Sequence, residues 1–240
     1  MLIHGIDIWR WLRDHTWLRS WQGSVVEIGK RVAMKRCTIY VHAGASLHIA
    51  DDARLEDVNI YVEKGSLTIG SHSIIGKGKA HARNSIIIND GAVAVGHHSK
   101  VACRQVWVRF GGQLSIGNYT NVNEGSEIRC DQEVTIGSYN QISYAVNIWD
   151  TNTHCLLPAQ ERRAIAQAHF PYFGYEAQRP ITAPVAIGND CWIGERATLL
   201  KGTVVGNEVN VGFGTLLTGQ HIADGCTVVN ETKLKIIGHR

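Results

Sequence analysis

From Pro184 onward an aliphatic residue returns at every sixth position: Ile187, Ile193, Leu199, Val205, Val211, Leu217, then Ala223 and Val229. Gly188, Gly194, Gly206 and Gly212 each follow a member of this series. A period of six matches neither the 3.6 of a helix nor the plain alternation of a long strand. It fits a short strand, a corner and another short strand, with one aliphatic side chain per face turned inward and glycine where the chain turns tightly. Three such faces make a coil of about 18 residues, and coils stack at the roughly 4.8 Å spacing of paired strands.

Earlier in the chain the unit is longer. An aliphatic residue, any residue, Ile or Val, then Gly or Ala recurs at residues 26–29, 47–50, 67–70, 93–96, 114–117, 134–137 and 185–188. A second ladder runs between these segments through Ile39, Ile60, Ile87, Val108, Ile128 and Ile148. Both ladders advance by about 20 or 21 residues, which predicts one wider coil per repeat. The expected fold is all-β, a left-handed parallel β-helix. The interval from Ile136 to Ile187 exceeds one coil by some 31 residues, so residues 151–183 are expected to leave the helix as a loop; loops of that length in compact repeats are usually functional or disordered. This one carries His154, Arg162, Arg163, His169, Phe170, Tyr172, Phe173 and Tyr175. That aromatic and basic content points to an ordered site loop.

The expected organisation is therefore an N-terminal aromatic helix over residues 1–23, wide coils over 24–150, the extruded loop over 151–183, and regular coils with a tail over 184–240. The first segment lacks the ladder and holds Trp9, Trp11, Trp17 and Trp21. Ile8 and Leu12, with Trp9, Trp17 and Trp21 fitting less well, suggest one apolar helical face. Such a helix caps the open end of a solenoid, or, with Arg10, Arg13 and Arg19, touches a membrane or lipid-linked substrate.

Bulk properties narrow the function. The net charge is only +3, and the basic residues are scattered, unlike the basic stripe of a nucleic-acid binder. Cys37, Cys103, Cys130, Cys155, Cys191 and Cys226 lie too far apart for a C-x-x-C pair, so buried free thiols are expected. No stretch reaches the roughly 18 apolar residues of a membrane span, and the first residues lack a basic region followed by an apolar run. A cytoplasmic protein is the expectation, with the aromatic N-terminus as the place of any membrane contact.

Pro184 to Gly194, followed by Leu199 to Asn207, resembles the coil pair shared by hexapeptide-repeat acetyltransferases of the maltose, galactoside and capsule-polysaccharide types. The likeness runs from about Ile116 to Val229. Within it, Ile116 to Asn123 resembles the segment that supplies those enzymes with an active-site asparagine, and Ile148 to His154 the one that supplies their catalytic histidine. The resemblance implies a homotrimer that moves an acetyl group from acetyl-CoA, as co-substrate and without a metal, to a hydroxyl of a carbohydrate acceptor. His154 is then the general base, with Asn123 bonding the imidazole or the acceptor. Asp150 orients either group, or simply bonds a turn amide. Trp192 is expected to point away from the core toward a neighbour subunit or the acetyl-CoA arm, in company with Gly194, Glu195, Gly212, Phe213 and Thr218. The Glu195 amide is the candidate oxyanion donor. Lys201, Lys233 and Lys235 are candidates for the CoA phosphates, and Trp149, Arg162 and Tyr172 for the acceptor. Phe213 departs from the family, which usually has small residues at its position and at that of Glu195.

The chemistry agrees with this assignment on its own terms. A sugar hydroxyl is a poor nucleophile at neutral pH, and histidine titrates where a base is needed. A thiol is a far better leaving group than an alcohol, so no covalent intermediate is required. Three other readings differ in what they need: an amino-sugar nucleotide N-acetyltransferase, a zinc enzyme on the same coil using His42, His48, His72, His81, His97 or His98, and a non-catalytic assembly module with no use for the histidine-bearing loop.

Overall fold

The computed structural model describes residues 2–4, 8–12, 14–76, 83–172, 178–231, 233 and 237. The chain winds as a parallel β-solenoid of about ten turns whose strands form sheets of 10, 9 and 10 members. Each coil crosses face one (for example Ser46–Ile49), face two (Arg54–Glu56) and face three (Val58–Val62) in that order. The step between equivalent positions is 20 or 21 residues in the early coils, 26 across the coil that contains residues 77–82, and 18 then 17 at the end.

Period-two alternation turns two rows of each face-one strand inward. Leu47, Leu67, Leu114, Val134 and Val185 form one row and Ile49, Ile69, Ile116, Ile136 and Ile187 the other, all within 3% exposure. Face three has its own inward rows, and here the second sequence ladder slips. Ile60 pairs in register with Ile86, and Ile86 with Val106; Ile87 faces outward beside Trp107, and Val108 belongs to the row of Val62 and Ile88. In a run of three isoleucines, composition cannot say which one faces in, and a shift of one residue reverses the face. The six-residue ladder also ends earlier than its period suggests. The last coil is one residue shorter, so Ile222 and Val228, not Ala223 and Val229, lie above Val205 and Val211.

The corner from face one to face two explains the recurrent Gly followed by Asn or Asp. Asn189, Asn207 and Asp224 each accept, through Oδ1, the N–H of the equivalent residue one coil below, at 2.8–2.9 Å. Gly188 sits where a Cβ would lie 2.6 Å from the Gly206 carbonyl oxygen, so stacking at strand spacing requires glycine there.

The N-terminal segment is a correction to the helix expected over residues 1–23. Ile8–Leu12 and Thr16–Ser20 form an antiparallel hairpin, and Thr16–Ser20 continues face three in parallel with Thr38–Val41. Leu2–His4 runs antiparallel to Val25–Ile28 on face one. A spacing of four between Ile8 and Leu12 satisfies strand alternation as well as a helical turn, and the aromatic and β-branched content favours the strand. The one α-helix among the described residues, Ala159–His169, lies instead in the loop. No described helix is long and apolar enough to cross a membrane.

All six cysteines are free; Cys37, Cys103, Cys130 and Cys191 are buried, as expected, and burial pushes the Cys103 thiol up to about 12. His72, His97 and His98 meet at the corner between faces one and two, stacked with Tyr119 and Tyr139, a closer grouping than their sequence registers suggest. Phe173, Tyr175, Lys235 and His81 lie outside the described residues.

Candidate active site

The long loop leaves at the corner from face three to face one. Its root is closed by an antiparallel bridge between Thr151 and Thr182, by Asn152 N donating to Ile181 O (3.1 Å), and by Ala183 N donating to Asp150 O (2.9 Å). Thr182 Oγ1 also donates to Gln132 Oε1 at 2.6 Å. His154 stands just beyond this root, exposed to solvent. Further out, no residue of the Ala159–His169 helix is buried, Arg162 is exposed, and Tyr172 is 90% exposed.

The peptide before His154 is held by a buried ionic network. Arg109 and Asp131, with side chains 6% and 1% exposed, form a bidentate pair through Nε (2.9 Å) and Nη2 (2.7 Å). Arg109 Nη2 also donates to Thr153 O at 3.2 Å. Thr151 Oγ1 donates to Asp131 Oδ2 at 2.6 Å and accepts from Thr153 N at 3.0 Å. Thr153 is thus fixed at both its amide and its carbonyl. It needs to be, because its φ of 66° is a left-handed conformation that a β-branched residue adopts at a cost. The strain sits one residue from the candidate base.

Asp150 is fully buried and accepts the backbone N–H groups of Asp131, Gln132 and Glu133 at 2.7–2.8 Å. It therefore takes the turn-amide role among those the sequence allows, shaping the corner one coil below His154. Burial pushes its carboxyl above the usual carboxylate range, against the downward pull of the three amides. Asp150→Ala is expected to lower stability by about 2–4 kcal/mol, read by chemical denaturation, because three buried donors lose a charged acceptor. A variant as stable as wild type would mean that water serves those amides equally well.

The remaining candidates divide between two corners. Asn123, Gly194 and Gly212 stack in one column where face two turns into face three, through Asn123 N to Ile142 O, Ser143 N to Ile193 O and Gly194 N to Val211 O. Glu195 and Phe213 occupy the neighbouring column, with Gly214 N donating to Glu195 O at 2.9 Å. Trp192, 59% exposed on face two, points outward as strand alternation requires. A Cβ on Gly194 would fall 2.8 Å from Gly212 C and Phe213 N. Phe213 is 67% exposed with the Arg196 guanidinium 5.5 Å from its ring. Lys201 lies instead at the corner of His154, and Thr218 ends the face-three column of Trp149 and Leu200. Lys233 is exposed. Within one chain, His154 and the column of Asn123 and Gly194 sit at opposite ends of face three.

Arg109, Asp131 and Thr151 were not singled out by the sequence. They are 22 and 20 residues apart, close to one coil, so the ladder that places Ile128 above Val106 also stacks these corner residues. Among the described residues no group of three or more His, Cys, Asp or Glu is arranged to hold a metal ion.

Residues 184–219 match the family described as bacterial transferase hexapeptide (six repeats). The stretch from Pro184 to Gly219 is the part of the chain that carries this family's hexapeptide repeat. The chain is 28% identical over 152 residues to WbbJ of Escherichia coli (strain K12), whose name assigns it to lipopolysaccharide biosynthesis as an O-acetyl transferase; the match covers 63% of this chain and 74% of that protein. Its fold is similar to that of an Arabidopsis UDP-N-acetylglucosamine acyltransferase, with a TM-score of 0.54 at 15% identity over 87% of this chain. The chain covers 66% of that structure, slightly under two thirds of its length, and the likeness concerns the fold alone.

Proposed function

We propose that the chain transfers an acetyl group from acetyl-CoA to a sugar hydroxyl of a cell-surface polysaccharide or its precursor, with His154 as general base. The observation that carries this reading is the pinned, strained turn that presents an exposed imidazole at the root of the loop. The imidazole takes the proton of the acceptor hydroxyl as that oxygen attacks the thioester carbon. The carbon–sulfur bond then breaks, the thiolate leaves as CoA, and the proton held by His154 passes to it. Charge on the carbonyl oxygen is met by a fixed amide, for which Glu195 N–H is the candidate.

The face-two corner suits the acetyl-CoA arm. Trp192 supplies an exposed flat ring, and Gly194 over Gly212 supplies backbone with no side chain in the way. Phe213 with Arg196 narrows the same corner, so the arm passes beside a ring where the resembling enzymes offer open space. Lys201, at the other corner, and Lys233 are proposed for the phosphates. Asn123, in the Gly194 column, is proposed for the acceptor; so are Trp149, Arg162 and Tyr172.

Because the base and this corner lie at opposite ends of one face, the proposed site is completed by a neighbouring copy, as a cyclic trimer allows. The exposed Leu156, Phe170, Tyr172 and Ile181 of the loop give such a neighbour apolar surface to cover. The test is free-thiol release from acetyl-CoA over a panel of sugars, oligosaccharides and amino-sugar nucleotides, run also on mixed oligomers. His154→Ala and Gly194→Val chains, each inactive alone, are expected to regain part of the activity when co-assembled. Mixtures that stay inactive would sink the shared site, and release driven only by amine acceptors would overturn hydroxyl transfer.

A further inference from the structure

We propose that the cleft beside Arg109 binds a neutral sugar ring of the acceptor, at a distance from the ring whose hydroxyl is acetylated. The inference rests on the reading of the chain as a glycan O-acetyltransferase and specifies its acceptor as an extended, uncharged stretch of glycan. The cleft has a volume of about 380 Å³ and is lined by Asn89, Asp90, Trp107, Arg109 and Phe110. That lies near the lower end of the range typical of small-molecule sites.

Two features make it a built site rather than a dent between coils. Arg109 is 94% buried, and although Asp131 and Thr153 take Nε and Nη2, its Nη1 is buried with no hydrogen-bond partner. A buried guanidinium N–H left unpaired is costly unless something supplies an acceptor. The second feature is the wall. The rings of Trp107 and Phe110 flank the Arg109 guanidinium, 4.4 and 5.0 Å from their centroids, and give their remaining apolar surface to the cleft; Trp107 is locked by Nε1 donating to Asn89 Oδ1 at 2.7 Å. Flat rings with a few fixed polar groups suit a pyranose, whose C–H face is apolar and whose rim is hydroxyl.

Charge selects the kind of sugar. Asp131 already neutralises Arg109, while Asp90 lines the cleft and Glu63 bonds Asn89 at 2.8 Å; Lys64, 3.1 Å from Asp90, is the nearby cation. At the cleft itself no positive charge is left over for a phosphate or carboxylate ligand; in the adjoining column Arg104 and Arg129 share Glu127. A hydroxyl, by contrast, accepts from Nη1 and donates to Asp90.

Position ties the cleft to the base. Trp107, Arg129 and Trp149 are register partners on successive strands of face three, with the Arg129 guanidinium 5.5 Å from one indole and 4.9 Å from the other. The Trp149 Nε1 is a second buried donor without a partner. From the strand of Trp107 to that of Trp149 is two strand spacings, about 10 Å. A chain of sugars laid along this column runs from the cleft to the coil that carries His154, and Arg109 touches both ends.

The test is calorimetric titration with neutral glucose- and galactose-based oligosaccharides of one to four rings. Wild type, Phe110→Ala, Asp90→Asn and His169→Ala are compared, with thermal melts to check folding. Affinity for the longer oligosaccharides is expected to fall at least tenfold in both cleft variants and to stay unchanged in His169→Ala, on the exposed helix. Should Phe110→Ala fail to fold, Asp90→Asn carries the comparison. Cleft variants that bind the four-ring probes as tightly as wild type, or a wild type that binds none of the neutral panel, overturn the subsite. Because binding is read without turnover, length-dependent affinity with no thiol release would reject the transfer reaction and leave the subsite standing.

Discussion

His154→Ala is expected to lower turnover by about 10²- to 10⁴-fold, the usual cost of deleting a general base, while leaving the melting temperature close to that of wild type. The stability half of this expectation follows from exposure: the imidazole is on the surface, and surface substitutions usually change stability by less than about 0.5 kcal/mol. The kinetic half follows from position, since the imidazole follows the pinned Thr153 turn where the loop leaves the coil. His169→Ala, on the exposed helix, is the control and should retain wild-type thiol release. Equal losses in the two variants would point to disturbance of the loop rather than to a missing base.

Asp131→Ala has the largest expected effect on stability, about 3–5 kcal/mol, because it leaves the Arg109 guanidinium buried without its counter-charge. Turnover is also expected to fall, since Thr151 loses its acceptor and the Thr153 turn its anchor. The two effects separate in the double variant Arg109→Met with Asp131→Leu. Replacing a buried ion pair by apolar side chains of similar size often restores stability. The double variant should therefore melt near wild type yet remain slow, with kcat reduced more than KM. Full activity in a stable double variant would show that the network serves folding alone.

The architecture was legible because the repeat is written in the core. The segments from 26–29 to 185–188 fall in register on face one, and the long interval after Ile136 is the loop. Errors arose where a local pattern admits two readings. Ile86, Ile87 and Ile88 are alike in composition, so only pairing with Ile60 decides which faces in. Ile8 and Leu12 fit strand and helix equally. The final coil drops a residue without any change of composition to mark it. The candidate site was legible in part. His154 lies at the loop root where the sequence places it, and Asp150 bonds turn amides. The Arg109–Asp131 pair was invisible because its meaning lies in which corner residues stack, and corner residues carry no hydrophobic signal.

The reversed strands at the first coil have a bearing on solubility. A solenoid of parallel strands presents at each end an unsatisfied row of amides and carbonyls that another copy can extend indefinitely. At the lower end, Leu2–His4 and Ile8–Leu12 run against the direction of winding, so a second molecule arriving head-to-tail meets strands of the wrong polarity. Parallel extension is thereby disfavoured on faces one and three at that end, while face two begins with the parallel strand Ala33–Lys35.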